Sequence, residues 1–183
     1  MTACPPLPLK VNGQCHKLAV PGHAPARLRR QSPAVRTVAL LSMKTRFILI
    51  QTSHAGNVGA AARAMKTMGF DDLVLVAPRW PNVLRREETI QRASGALDVL
   101  EHARIVATLD EALDGMTHLC ATAMTPRDFG PPTVAPRPHF ESLASQARAG
   151  APGQGVAFLF GSERFGMQNE DVYRCHVALS IPT

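Results

Sequence analysis

From Met43 onward the chain alternates short, uninterrupted apolar runs with longer stretches of mixed polarity. Residues 47–50 (Phe-Ile-Leu-Ile), 73–76 (Leu-Val-Leu-Val), 104–107, 118–123, 156–160 and 177–181 read as six strands. The clearest of these runs are apolar at successive positions rather than at alternate ones, which is the pattern of strands covered on both faces. The stretches between them carry helix signals. Residues 58–68 are rich in alanine, with Asn57 read as the cap and Gly69 as the stop. A second helix is expected around residues 87–97. A third is capped by Thr108, with Asp110 and Glu111 in its first turn. Residues 140–148 and 168–173 complete the set. The predicted fold class is therefore α/β, a mostly parallel sheet with helices on both faces. A proline-rich loop is expected over residues 124–138, and a loop of that length in a small domain tends to carry function.

Composition narrows the class. With 45% apolar residues in 183, the chain can bury one sizeable core and is not of the disordered type. No run approaches eighteen apolar residues, so no membrane span is expected and the cytoplasm is the expected compartment. The four cysteines (Cys4, Cys15, Cys120, Cys175) are too irregularly spaced for a disulfide framework. Cys120 reads as a small core residue, and Cys175 lacks the basic neighbours of a nucleophile. The histidines likewise show no metal-ligand spacing, so no metal is expected; His54, in the first strand-to-helix turn, is best placed to meet a ligand.

Charge looks informative until it is mapped. Twenty Lys and Arg against 14 Asp and Glu leave +6, a balance that suggests nucleic acid. Residues 1–42 hold six of the basic residues and no acidic ones, so residues 43–183, with 14 of each sign, are neutral. The same 42 residues contain six prolines and no sustained period, and are expected to be a disordered basic arm. A transit peptide, an RNA-binding arm and an over-extended start before Met43 are the three readings of it. The last is favoured because Met43-Lys44 directly precedes the first strand. Residues 43–183 are the expected functional domain.

Two glycine-containing turns carry candidate chemistry. After the first strand comes Gly56-Asn57-Val58-Gly59-Ala60-Ala61-Ala62-Arg63, a turn that could offer backbone N–H groups to an anion. Its G-x-x-G spacing, and a second strand ending Val76-Ala77-Pro78 without an acid, argue against a nicotinamide-binding fold. Helix packing against the sheet would account for Gly59 and the alanines, but not for Asn57 or Arg63. After the fifth strand comes Phe160-Gly161-Ser162-Glu163-Arg164-Phe165-Gly166, a tight turn at the strand end where α/β sheets place ligands. The fourth strand ends in Ala121-Thr122-Ala123-Met124.

The two motifs N-x-G-x-x-x-R (57–63) and F-G-x-E-x-x-G (160–166), in this order and followed by a strand ending Ser180-Ile181-Pro182, resemble the SPOUT class of RNA ribose methyltransferases. The resemblance covers about residues 45–183 and is strongest to the tRNA cytidine/uridine 2′-O-methyltransferases of the SpoU–TrmH branch. It implies a trefoil-knotted α/β domain, a homodimer, S-adenosyl-L-methionine as methyl donor, and a tRNA ribose 2′-hydroxyl in the anticodon loop as acceptor. The alternatives are an rRNA target or a catalytically inactive RNA-binding protein. By motif position, Arg63, Asn57 and Glu163 would be the catalytic set, and Thr122, Ala123, Met124, Gly161 and Ile181 the cofactor pocket. Lys66, Arg85, Arg86 and Arg164 are the candidate RNA contacts. The family's third motif would follow residue 183, so the C-terminal knot segment is expected to be missing and cofactor binding by these 183 residues weak.

Overall fold

The computed structural model describes residues 43–123, 128–148 and 155–181. The expected basic arm (1–42), Met124 and Pro182 lie outside them. Seven strands form one sheet: β1 (Thr45–Ile50), β2 (Asp72–Val76), β3 (Arg104–Val106), β4 (His118–Thr122), β5 (Thr133–Val134), β6 (Val156–Phe160) and β7 (Val177–Leu179). Their order is β3-β2-β1-β6-β4-β7-β5, and every pairing between them is parallel. The helices are α1 (Ala55–Met68), α2 (Glu87–Ala93), α3 (Leu97–His102), α4 (Leu109–Leu113), α5 (Pro136–Arg148) and α6 (Asn169–Tyr173).

The apolar runs explain why the sheet is covered on both sides. Ile48, Ile50, Val74, Val76, Ala157 and Leu159 pack on one face with Leu109 and Ala112 of α4 and Val172 of α6. Leu73 and Leu75 pack on the other with Val58, Ala62 and Met65 of α1 and Val99 of α3. Beside them, Cys120, Val156 and Val177 meet Leu143 of α5. Cys120 is fully buried, as its place in a strand implies. Among the described residues no helix is long and apolar enough to cross a membrane.

Four sequence expectations change. The stretch 87–97 is two helices, broken at Ser94-Gly95-Ala96, because Ser94 leaves helical geometry (φ 46, ψ −152). The loop expected over 124–138 contains β5 and the start of α5. Pro136 opens that helix at a position where a missing N–H costs nothing, so the prolines that suggested loop mark a helix start. Asn57 is not the α1 cap: His54 occupies that position, and the Asn57 N–H donates to the His54 carbonyl at 3.1 Å. Finally, Gly59 lets α1 approach α2 rather than the sheet. A Cβ there would stand 2.1 Å from the Thr89 carbonyl oxygen and 2.8 Å from the Ala93 nitrogen. Gly69, in contrast, ends α1 as expected in the left-handed region (φ 81), and Thr108 caps α4 by accepting the Glu111 N–H.

The sheet order positions the site. The chain moves outward from β1 through β2 to β3, then crosses to the other half, so β1 and β6 flank the point where the order reverses. Open parallel sheets present ligand sites at the carboxyl ends of strands at such a point. β7 lies between β4 and β5, two strands already joined by the 123–132 connection.

Candidate functional site at the carboxyl ends of β1 and β6

β1 and β2 both end in a sharp turn made by a non-glycine residue in the left-handed region, Gln51 (φ 51) and Ala77 (φ 42). That conformation strains a side-chain-bearing residue and persists only where its surroundings fix it. Here the Gln51 N–H donates to the Val76 carbonyl, the Ala77 N–H to Val106, and the Arg79 N–H to Thr52. The turns deliver Thr52, buried, and Ser53 to the strand end just before α1 begins.

The turn after β6 comes to meet them. Ser162 and Gly166 exchange backbone hydrogen bonds at 2.9 and 3.1 Å, closing a loop whose tip carries Glu163. Gly161 makes this possible, since a Cβ on it would lie 2.1 Å from the Gly166 carbonyl carbon. The Glu163 carboxylate then receives four donors. Thr52 Oγ1 donates to Oε1 at 2.6 Å and Asn57 Nδ2 to the same oxygen at 3.0 Å. The Ser53 N–H and Oγ both donate to Oε2 at 2.8 Å. Burial by itself raises the Glu163 pKa, but the hydrogen bonds from Thr52 and Ser53 outweigh it and hold the carboxyl at about 2. Glu163 is thus a carboxylate throughout the neutral range, with its oxygens already engaged.

Beside this clasp opens a cleft of about 400 Å³, lined by Gln51, Ser53, His54, Ala77, Arg79, Arg164 and Phe165 among others. His54 therefore does reach a cleft. The Phe165 ring is 83% exposed, and the Arg164 guanidinium stands 5.5 Å from its centroid. An exposed aromatic face among cations is the recurring arrangement for single-stranded nucleic acid.

The other predicted residues divide into groups. Thr122 and Ala123, Gly161, and Ile181 lie at the carboxyl ends of the adjacent strands β4, β6 and β7, so the fold brings them to one edge. Thr122 Oγ1 donates to the Leu159 carbonyl at 2.9 Å, the Ala123 N–H donates to Leu179, and Ile181 is 76% exposed. Met124 lies outside the described residues. Arg63, two turns into α1, lines a separate cleft with Arg92 rather than the one beside Glu163. Lys66 is paired with Asp98 at 2.7 Å. Arg85 is exposed, but Arg86 is half-buried, with its guanidinium 4.5 Å from the Trp80 ring centroid and its Nε without a partner. Arg86 is therefore not the free surface cation that its sequence position suggested.

Sequence reasoning passed over Thr52, Ser53, Arg79 and Phe165. Thr52-Ser53 directly follows the first strand, which was a usable signal. Their acceptor lies 110 residues and more away, and nothing in the linear pattern names it.

Residues 44–183 match the sequence profile of the SpoU rRNA Methylase family. The chain is 44% identical over 138 residues to the tRNA (cytidine/uridine-2′-O-)-methyltransferase TrmJ of Photorhabdus laumondii, spanning 75% of this chain and 54% of that protein. It is 40% identical over 141 residues to the tRNA (cytidine/uridine/adenosine-2′-O-)-methyltransferase TrmJ of Pseudomonas aeruginosa, spanning 76% of this chain and 52% of that one. Thus the chain spans about half the length of the curated relatives it matches. Among solved structures, a probable methyltransferase from Bordetella pertussis superposes with a TM-score of 0.70 at 44% identity, covering 80% of this chain and 85% of that one.

Proposed function

The chain belongs to the SpoU methylase family, and on that premise we propose that it transfers a methyl group from S-adenosyl-L-methionine to a ribose 2′-hydroxyl of RNA. The observation that carries this reading is the clasp itself. Glu163 of one motif accepts a hydrogen bond from Asn57 of the other across 106 residues of sequence, at the strand ends where a ligand would sit. The names of its relatives support tRNA over rRNA as the substrate; the anticodon loop as target and the cytoplasm as the place of action are part of the same proposal.

Four of the five residues proposed to hold the donor, Thr122, Ala123, Gly161 and Ile181, lie together at adjacent strand ends, which supports part of a cofactor pocket there. The ends of β4, β6 and β7 offer backbone, small side chains and one exposed apolar side chain, Ile181, suited to the flat apolar part of a nucleoside. Thr122, Ala123, Gly161, Ile181 and Met124 would hold it. When bound, the sulfonium supplies an activated methyl group, so the protein's work is to align the hydroxyl and assist loss of its proton.

This chain's residues divide that work. A guanidinium stays protonated at neutral pH, so Arg63 acts as a cation that lowers the hydroxyl's pKa or grips the adjacent phosphate. A carboxylate held at about 2 is too weak a base for an alcohol. Glu163 and Asn57 are accordingly positioning residues, which fix the β6 turn against the start of α1. Arg79 and Arg164 bind phosphates along the cleft, and Phe165 stacks a base. Because Arg63 and the Glu163 cleft are separate surfaces of one chain, a homodimer that combines surfaces from two copies suits the reading.

The test is methylation of a tRNA transcript by the purified chain, with the 2′-O-methyl nucleoside identified by mass spectrometry after digestion. Transfer that falls about 100-fold in Arg63→Ala is expected, the scale of losing one charge-stabilising group. Near-normal transfer by that variant would overturn the assignment of Arg63.

A further inference from the structure

At the end of the sheet where β4 begins, away from the strand ends that carry Glu163, three side chains without any sequence spacing of a metal site converge. His118 and Cys120 are two residues apart in β4 and so share one face of the sheet. α5 lies over that face, and its fourth residue, His139, comes down on them. His118 Nε2 stands 3.1 Å from His139 Nε2, and Cys120 Sγ stands 3.8 Å from the same nitrogen. All three ligand atoms lie within 4.8 Å of one another.

We propose that His118, Cys120 and His139 form a binding site for a divalent ion of the zinc class, unrelated to methyl transfer. A tetrahedral zinc ion, with bonds of about 2.0–2.1 Å to nitrogen and about 2.3 Å to sulfur, keeps its ligand atoms roughly 3.3–3.8 Å apart. Two of the separations, 3.1 Å between the His118 and His139 nitrogens and 3.8 Å between Cys120 Sγ and His139, already stand near those edges, and the third lies within 4.8 Å. Two imidazoles and a thiolate suit zinc, and the set has no carboxylate to favour magnesium or calcium.

A neighbouring ring completes the wall. His176 stacks on His118 with centroids 5.1 Å apart, and its Nδ1 accepts the Leu119 N–H at 3.0 Å. That hydrogen bond places the ring proton of a neutral His176 on Nε2, so it packs the site rather than joining it. His118 and His139 are only half-buried, so solvent can supply the fourth ligand. Binding converts the Cys120 thiol to a thiolate and releases its proton to solvent, so one proton leaves per ion and apparent affinity rises with pH. The bound ion would tie α5 to β4 across the connection over 123–135.

Cobalt(II) is the probe. Titrated into the chelator-treated full chain, one equivalent should give the intense visible absorption of a four-coordinate ion and a sulfur-to-cobalt charge-transfer band, both displaced by zinc. Cys120→Ala should abolish the charge-transfer band, and His139→Gln should weaken binding at least about tenfold. Cys175→Ala and the double variant Cys4→Ser/Cys15→Ser should leave both signals intact. A thermal melt of each metal-free variant separates lost binding from lost folding. If Cys120→Ala fails to fold, half-buried His139→Gln decides. No one-equivalent uptake, a charge-transfer band that survives Cys120→Ala, unweakened binding in His139→Gln, or a signal lost in Cys4→Ser/Cys15→Ser would overturn the site.

Discussion

Two side chains show how much a single group decides in this fold. Arg46, only 3% exposed, donates from Nε to Asp72 at 2.9 Å and from Nη1 to the carbonyls of Ala112 and Asp114 at 2.7 and 2.8 Å. It joins β1, β2 and the end of α4. Arg46→Ala would strand those acceptors, and a loss of about 3 kcal/mol in urea-unfolding stability is expected. A loss under about 1 kcal/mol would show that water replaces the guanidinium. Glu163 makes a pH prediction. Its pKa is about 2 in the folded chain, below the ordinary 4.5, so the folded state favours the carboxylate. That contribution is fully present above pH 4.5 and is lost as pH falls from 4.5 toward 2. The stability gap between the parent chain and Glu163→Gln should therefore narrow across that window, and a gap constant with pH would contradict it. Neither network is visible residue by residue in the sequence. Arg46 stands just before the first apolar run with nothing nearby in sequence to mark its acceptors, and the partners of Glu163 are defined only by the fold.

Among the elements, the tightest joint is between α1 and α2. Buried Thr89 has one hydroxyl proton and two carbonyl acceptors in reach, Val83 at 2.6 Å and Ala55 at 3.0 Å. Gly59 faces the same helix without room for a methyl group. Gly59→Ala should force the helices apart and cost about 3 kcal/mol. Gly95→Ala, where a Cβ would meet nothing within 4 Å, should change stability by less than about 0.5 kcal/mol. Equal effects in denaturant unfolding would refute the packing argument. At this scale the sequence was most legible. Apolar runs located six of the seven strands, among them the three-residue β3 and β7, and Thr108 and Gly69 marked helix ends by local chemistry that needs no partner. What local pattern missed was set by context. β5 is only two residues long and exists because β7 offers it an edge, and the prolines around it suit a loop and a helix start equally well.

The whole molecule separates charge from chemistry. The excess of six positive charges belongs to residues 1–42, while the clasp, the cleft and the three-ligand cluster belong to an electrically neutral remainder. The excess charge and the two motifs thus lie in different parts of the chain, so an RNA-binding role for residues 1–42 can be tested apart from the clasp. Replacing the six basic residues before Met43 by glutamine should weaken binding to non-cognate RNA and flatten its salt dependence. On the proposed function the turnover of methylation should stay within about twofold, because the cations proposed to act on the ribose and its phosphates, Arg63, Arg79 and Arg164, all lie outside residues 1–42. A collapse of turnover in that variant would bring the arm into the site.

The sequence by itself determined the fold class, the order of the elements and the two motifs. Each is a local property: burial on both strand faces writes a continuous apolar run, and a turn writes its glycines. Only the tertiary structure decided that Thr52, Ser53 and Asn57 close on Glu163, that Arg86 stacks on Trp80, and that His118, Cys120 and His139 share one point. The first of these depends on the order in which parallel strands lie side by side, the second on the path of the β2–α2 connection, and the third on α5 packing over β4. β1 and β6 become neighbours through a crossover of more than a hundred residues, and no periodicity along the chain carries that information.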